Sequence, residues 1–254
     1  NNIPVFQPVK IKEDYEEIKK YNPDLIVTCA YGQIVPKEVL DIPRLGCINV
    51  HASLLPKYRG GAPIHHAILN GDSKTGITIM YMDTHMDTGD MIASKSISIL
   101  DTDTLGTLRD KLSSLGAELL EETLPSIISG SDQRVKQNES EVSYAYTIKR
   151  EDEHLDFNKK AIDIYNQVRA LNPEPLAHFI LNGEEFKVIE GYIGSDTDLY
   201  PGTICDIKKD AIGIATSDKV YYITKIKPFG KKEMLVRDYL NGIKKEDLKA
   251  VIVK

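Results

Sequence analysis

Residues 46–90 read GCINVHASLLPKYRGGAPIHHAILNGDSKTGITIMYMDTHMDTGD, and the fold turns on how this stretch is read. It opens on a short apolar run, Cys47-Ile48-Asn49-Val50-His51, of strand length but interrupted by two polar side chains. Residues two apart on a strand share a face, so Asn49 and His51 point the same way. A strand buried on both faces of a parallel sheet is apolar throughout, so these two groups need partners or a chemical task. A polar loop, Lys57-Tyr58-Arg59-Gly60-Gly61, leads to a helix from Pro63 to Asn70, with Pro suited to its first position and Gly71 just past its end. Ile77–Met82 is a second strand, and Asp83–Asp90 a tight acidic loop. In open α/β sheets, sites lie outside the carboxyl ends of strands, where Asn49, His51 and Asp87 all fall. An amide to hold an oxyanion, an imidazole to handle a proton and a carboxylate to orient that imidazole are the parts of acyl transfer without a covalent intermediate.

Working outward, Asn1–Phe6 reads as a strand already under way, Glu13–Tyr21 as a short amphipathic helix, and Leu25–Ala30 as a continuous apolar strand suited to the middle of a parallel sheet. After the acidic loop, Met91–Ser98 is another strand. Leu105, Leu108, Leu112, Leu115 and Leu119 then recur at spacings of three and four on a helix that packs one stripe on the sheet and ends at Pro125. Residues 129–150 are polar, lack an apolar period and read as an interdomain linker. Beyond it come a helix from Ala161 to about Asn172 and short strands at 177–181, 186–193, 202–207, 212–216 and 220–227, the first two joined by the hairpin signal Asn182-Gly183. Such spacing suggests a small barrel. The expected organisation is an α/β domain with a mostly parallel open sheet over 1–128, the linker 129–150, and a β-barrel domain over 151–254.

A chain of 254 residues with 41% hydrophobic and 28% charged residues can bury a real core, and no run approaches a membrane span. Cys29, Cys47 and Cys205 are widely spaced and make no metal pattern, so buried thiols in a reducing cytosol are the plain reading. His65, His66 and His85 invite a metal reading beside His51, but adjacent histidines diverge on a helix and no zinc spacing is present. The net charge of −6 argues against a simple nucleic-acid binder, yet residues 208–254 carry twelve Lys/Arg against six Asp/Glu. A C-terminal module that touches phosphates has this asymmetry.

Asn-x-His at 49–51, Ser53-Leu54-Leu55-Pro56-Lys57-Tyr58-Arg59-Gly60 and the Asp83–Asp90 loop with Asp87 together resemble the folate-dependent formyltransferases, and the rest of the chain resembles the branch that acts on tRNA. The resemblance implies a Rossmann-like sheet followed by an OB-like barrel. It also implies that the chain enters the catalytic domain part-way, because the family's opening strand–helix–strand–helix section is not matched. The implied reaction moves a formyl group from 10-formyltetrahydrofolate, a co-substrate, to the α-amino group of methionyl initiator tRNA, in the cytoplasm and as a monomer, with no metal. Asn49 would position the formyl oxygen, His51 stabilise the charge of the tetrahedral intermediate, and Asp87 hold the imidazole or a water and favour the charged ring.

By the same resemblance, Ser53, Leu54, Leu55 and Pro56 would touch the folate, with the loops carrying Gly32, Gln33, Ile34 and Val35 and carrying Thr84 and His85 around the pterin. For Leu54 and Leu55 core packing is the competing reading. Lys149 and Arg150, with Lys57 and Arg59, would face the tRNA, or else lie in water as solvated charges. Formyl transfer to an amino sugar or to glycinamide ribonucleotide remains open, as does a non-catalytic tRNA-binding role.

Overall fold

The computed structural model describes residues 2–243, 248, 252 and 253. The chain divides into two compact units, one of Asn1–Pro63, Lys74–Ser98 and Asp110–Thr147, the other of Ile64–Ser73, Ile99–Arg109 and Ile148–Lys254.

In the first unit, α1 (Glu16–Lys20) precedes β1 (Ile26–Cys29), and α2 (Lys37–Leu40) precedes β2 (Cys47–His51). β3 (Lys74–Tyr81) and β4 (Met91–Ser98) complete a four-stranded sheet in the order β1-β2-β3-β4, while α3 (Pro63–Leu69), between β2 and β3 in the chain, belongs to the second unit from Ile64 on. Only β1 and β2 run parallel; β2–β3 and β3–β4 are antiparallel. The expectation of a mostly parallel sheet is therefore corrected to a mixed one. Short apolar strands look alike in either direction, and a hairpin connection such as 82–90 needs no crossover. Nor is β1 central: its residues alternate between half-buried and exposed, and Val27 and Cys29 face out. The buried-thiol expectation fails for Cys29, whereas Cys47 is buried and its thiol is pushed up to about 11 by desolvation.

The N-terminal stretch expected to be a strand is not one. Ile3 and Val5 are exposed, and among the described residues the segment at 2–6 has no neighbouring strand to take up its backbone groups. The leucine stripe is as expected: Leu105, Leu108, Leu112, Leu115 and Leu119 of α4 (Leu105–Ser129) are all buried. The helix lies close enough to the sheet that a side chain at Gly116 would meet Val50 at 3.0 Å. Contrary to expectation, α4 continues through Pro125 to Ser129, because one further turn buries Ile127 while Pro125 itself stays exposed. The polar stretch after it belongs to the first unit as far as Thr147. Val135 exchanges backbone hydrogen bonds with Met91, and Ser143 and Ala145 bond the backbone of Arg59.

The second unit is built on α5 (Ala161–Ala170) and β5 (Ala177–Leu181), β6 (Glu184–Asp196), β7 (Ile204–Ile207), β8 (Ile212–Ala215), β9 (Lys219–Pro228) and β10 (Met234–Leu235), followed by α6 (Val236–Asn241). The strands are antiparallel in the order β5-β6-β9-β8-β7, with β10 beside β9. Asn182 and Gly183 both take positive φ, which a tight two-residue hairpin requires. Ile164, Val168 and Leu171 meet Phe179, Phe186 and Val188 in one core. Among the described residues β5 and β7 do not pair, so the expected barrel is seen as an antiparallel β domain without closure. Of the C-terminal basic residues, Lys244, Lys245, Lys249 and Lys254 lie outside the described residues.

Candidate active site

β2 carries Asn49 and His51 toward one face, and its registers set their neighbours: Asn49 lies between Thr28 of β1 and Met80 of β3. The Asn49 Oδ1 accepts a hydrogen bond from Thr28 Oγ1 at 2.9 Å, which leaves the amide nitrogen as the donor. His51 is buried, with Nε2 2.9 Å from the Tyr58 carbonyl oxygen. A carbonyl only accepts, so Nε2 carries the hydrogen and Nδ1 faces the Asp87 Oδ2 at 3.7 Å. That separation is longer than a hydrogen bond and within reach of charge attraction. With an acceptor beside each nitrogen, the ring can donate on both sides only when doubly protonated.

Asp87 is fixed from three directions. Its backbone sits at φ 55°, a left-handed conformation uncommon for a side-chain-bearing residue. Its Oδ2 accepts from the Gly60 N–H at 2.7 Å. Gln137 Nε2 donates to the carbonyls of Asp87 and Gly89 at 2.8 and 2.9 Å, and Gln137 is oriented by Arg59 Nε at 2.9 Å. Gly60 itself is at φ +123°, and a Cβ there would stand 2.6 Å from the Ala145 carbonyl oxygen. Only glycine lets this loop pass between Asp87 and the 143–147 segment. Upstream, Asp83 Oδ1 accepts from His85 N and Thr88 Oγ1, tying the acidic loop into a turn.

The structure thus brings Asn49, His51 and Asp87 into one unit. Of the residues expected at the folate, Ser53 is buried and donates to the Lys57 carbonyl, Leu55 is buried with its N–H on Thr78 Oγ1, and Leu54 and Pro56 are half-buried. Gly32, Gln33, Ile34, Thr84 and His85 are exposed, while Val35 is buried in a cluster that also holds Met82. A cavity of about 600 Å³ is lined by Arg44, Cys47, Tyr81, Asp83, Thr84 and Arg134 among others; Thr84 is the one expected folate residue on it.

The cations behave differently from one another. Lys149 is exposed and 3.5 Å from Glu151; Arg150 pairs with Glu153 and Glu185; Lys57 is exposed over the Tyr58 ring. Arg59 departs from the expectation of an RNA contact. It is 2% exposed, and its guanidinium is committed to Gln137 and, in a forked pair, to both oxygens of Glu139. It braces the Asp87 loop from inside, and its hydrogen bonds hold the Glu139 carboxyl below the usual carboxylate range.

Thr28 and Gln137 were missed by sequence reading, as was the positioning role of Gly60, which entered only as the end of the Ser53–Gly60 run. A lone hydroxyl within an apolar strand and a Gly-Gly pair after a motif were the available signals for Thr28 and Gly60; Gln137 gave none. Among the described residues no group of three or more His, Cys, Asp or Glu is placed to hold a metal ion.

Comparison with known proteins places the chain in a family. The formyl transferase family model matches residues 8–124, and the formyl transferase C-terminal domain model matches 147–244. Methionyl-tRNA formyltransferase from Geobacillus sp. (strain WCH70) is 50% identical over 246 residues, covering 95% of this chain and 77% of the relative. The chain belongs to the methionyl-tRNA formyltransferase family. The Bacillus subtilis (strain 168) methionyl-tRNA formyltransferase is 49% identical, with 95% and 78% covered. Among solved structures, a sugar 3N-formyl transferase, WlaRD, determined in the presence of dTDP and 5-N-formyl-THF, aligns with TM-score 0.65 and 25% identity over 85% of this chain and 77% of that one. HypX from Aquifex aeolicus, in complex with tetrahydrofolic acid, shares the fold at TM-score 0.69 and 20% identity, over 89% of this chain and 40% of that one. No described helix of the chain is long and apolar enough to cross a membrane.

Proposed function

We propose that Asn49, His51 and Asp87 carry the transfer of a formyl group from 10-formyltetrahydrofolate to the α-amino group of methionyl initiator tRNA. The observation that supports this reading is the His51 ring held between the Tyr58 carbonyl and the Asp87 carboxylate, in a chain of this family.

The folate, when bound, supplies a formyl carbon attached to a leaving nitrogen. The Asn49 amide donates to the formyl oxygen as negative charge develops there, the kind of contact whose loss costs about 3–4 kcal/mol of transition-state stabilisation. His51 in its charged form adds to the same stabilisation, and Asp87 balances the ring's charge and relays the proton lost by the attacking amine to the folate nitrogen, which leaves as its bond to the formyl carbon breaks. Gly60 and Gln137 hold Asp87 in place for this. A flat apolar ring system suits the neighbourhood: Ile34 and Met86 are exposed on the two loops assigned to the pterin, and Thr78 pins the loop at Ser53 and Leu55. The second unit, which includes Lys149, is read as an OB-like module that meets the tRNA.

The test is formylation of methionyl-tRNA by the purified chain with 10-formyltetrahydrofolate, beside amino sugars and glycinamide ribonucleotide as rival acceptors. Transfer to methionyl-tRNA with salt-sensitive tRNA binding is expected. Transfer to a small amine alone, with no affinity for tRNA, overturns the reading.

A further inference from the structure

In Ser143-Tyr144-Ala145-Tyr146-Thr147 the side chains alternate, as on any extended segment. Ala145 is fully buried, and its N–H donates to the Arg59 carbonyl oxygen at 2.8 Å. Tyr144 and Tyr146 turn the other way, 53% and 70% exposed, with ring centroids 5.8 Å apart and planes within 10° of parallel. Two large aromatic rings, stacked on each other and each more than half exposed, present aromatic surface to the solvent.

Their backbone is fixed with respect to the proposed chemistry. The Arg59 N–H donates to the Ser143 carbonyl oxygen at 2.9 Å and the Ala62 N–H to the Ala145 carbonyl oxygen at 3.0 Å, so the 59–62 loop and the tyrosine segment run side by side. The next residue of that loop, Gly60, donates to the Asp87 carboxylate at 2.7 Å. One backbone thickness therefore separates the tyrosine segment from Asp87. A side chain at Gly60 would stand 2.6 Å from the Ala145 backbone carbonyl oxygen, so this approach depends on that glycine; at Gly61 it would meet only the Thr147 hydroxyl, at 2.9 Å.

We infer that Tyr144 and Tyr146 form a stacking platform for an unpaired base at the acceptor end of the aminoacyl-tRNA. This rests on tRNA being the formyl acceptor. The methionine that carries the amine to be formylated is esterified through its carboxyl group to the last nucleotide of a single-stranded end, so a base must lie beside the catalytic residues whenever the amine reaches them. Aromatic side chains hold such bases whatever their identity, because every base has a π-face. The platform fixes the end of the RNA while Asn49, His51 and Asp87 meet the amine, and it explains why the two exposed rings sit on the strand that braces the Asp87 loop.

The test uses the full chain with Tyr144→Ala, Tyr146→Ala and the double variant, and with Tyr144→Phe and Tyr146→Phe. Their side chains do not make the backbone bonds just described, and thermal unfolding checks that the fold is kept. The double alanine variant is expected to raise KM for methionyl-tRNA on the order of tenfold or more, with KM for the formyl donor unchanged and the phenylalanine variants near wild type. An RNA acceptor stem carrying 2-aminopurine in its single-stranded end should be quenched on binding wild type and not the double variant. Unchanged KM and unchanged quenching, in a wild-type enzyme that formylates methionyl-tRNA, overturn the platform alone. A wild-type chain that formylates only other amines overturns the acceptor assignment instead.

Discussion

Substituting Gly60 by alanine separates the geometry of the Asp87 loop from the chemistry of its side chains. The residue is at φ +123°, where an L side chain is strained, and the new methyl would stand 2.6 Å from the Ala145 carbonyl oxygen and 3.2 Å from its carbon. Backbone rather than a flexible side-chain tip blocks the way, so one of the two segments has to move. Strain of this kind costs about 1–3 kcal/mol. Movement also stretches the 2.7 Å hydrogen bond to the Asp87 carboxylate, and a bond to a charged acceptor contributes about 1.5–3 kcal/mol. A stability loss of about 2–4 kcal/mol follows if part of each is felt. A shift of the order of an ångström in a catalytic group lowers turnover by about a hundredfold. Urea denaturation gives the first quantity and steady-state formylation the second. Gly242→Ala is the control: its φ is negative and its nearest contact is 3.6 Å, so it should change stability by less than about 0.5 kcal/mol. Gly60→Ala with wild-type stability and turnover would refute the claim that this glycine positions Asp87.

Other outcomes follow from the same structure. Asn49→Ala should lower turnover by about a hundredfold or more while leaving the fold intact; an unchanged rate removes the amide from the mechanism. Burial, with His66 and Arg109 nearby and opposed by Glu174, lowers the His65 pKa from 6.5 to about 4. The unfolded chain therefore binds the extra proton first as pH falls, and the stability contributed by the neutral ring is lost between those values. From pH 7 to pH 5 this amounts to about 2 kcal/mol, so His65→Gln should flatten the pH dependence measured by denaturation, and an identical slope contradicts it. A thiol reagent at neutral pH should label exposed Cys29 well before buried Cys47, whose thiol is pushed up to about 11; mass spectrometry of the labelled peptides reads the order.

Much of the site was legible because its signals are local. The two-residue spacing of Asn49 and His51 needs only the alternation of a strand, and the leucine spacing of α4 needs only the helical period. Likewise Asn182-Gly183 marked its hairpin by backbone preference alone. What escaped depends on which segment lies beside which. Strand direction in β2–β3–β4 leaves no trace in short apolar runs, so the sequence suggests a mostly parallel sheet where the structure has a mixed one. Arg59 looked like a surface cation because its partners, Gln137 and Glu139, are far along the chain in a stretch without any period. Cys29 looked buried because an apolar run does not reveal whether it has neighbours on both sides. Pro125 looked like a helix end because the burial of Ile127, which outweighs the lost bond, is a tertiary fact.

The most direct measurement is the initial rate of methionyl-tRNA formylation by wild type and Asp87→Asn, both substrates saturating. Loss of the charge beside Nδ1 of His51 should leave folding and tRNA binding near wild type and lower the rate at least about a hundredfold. A variant that formylates at the wild-type rate would mean that the carboxylate 3.7 Å from the ring takes no part in the transfer.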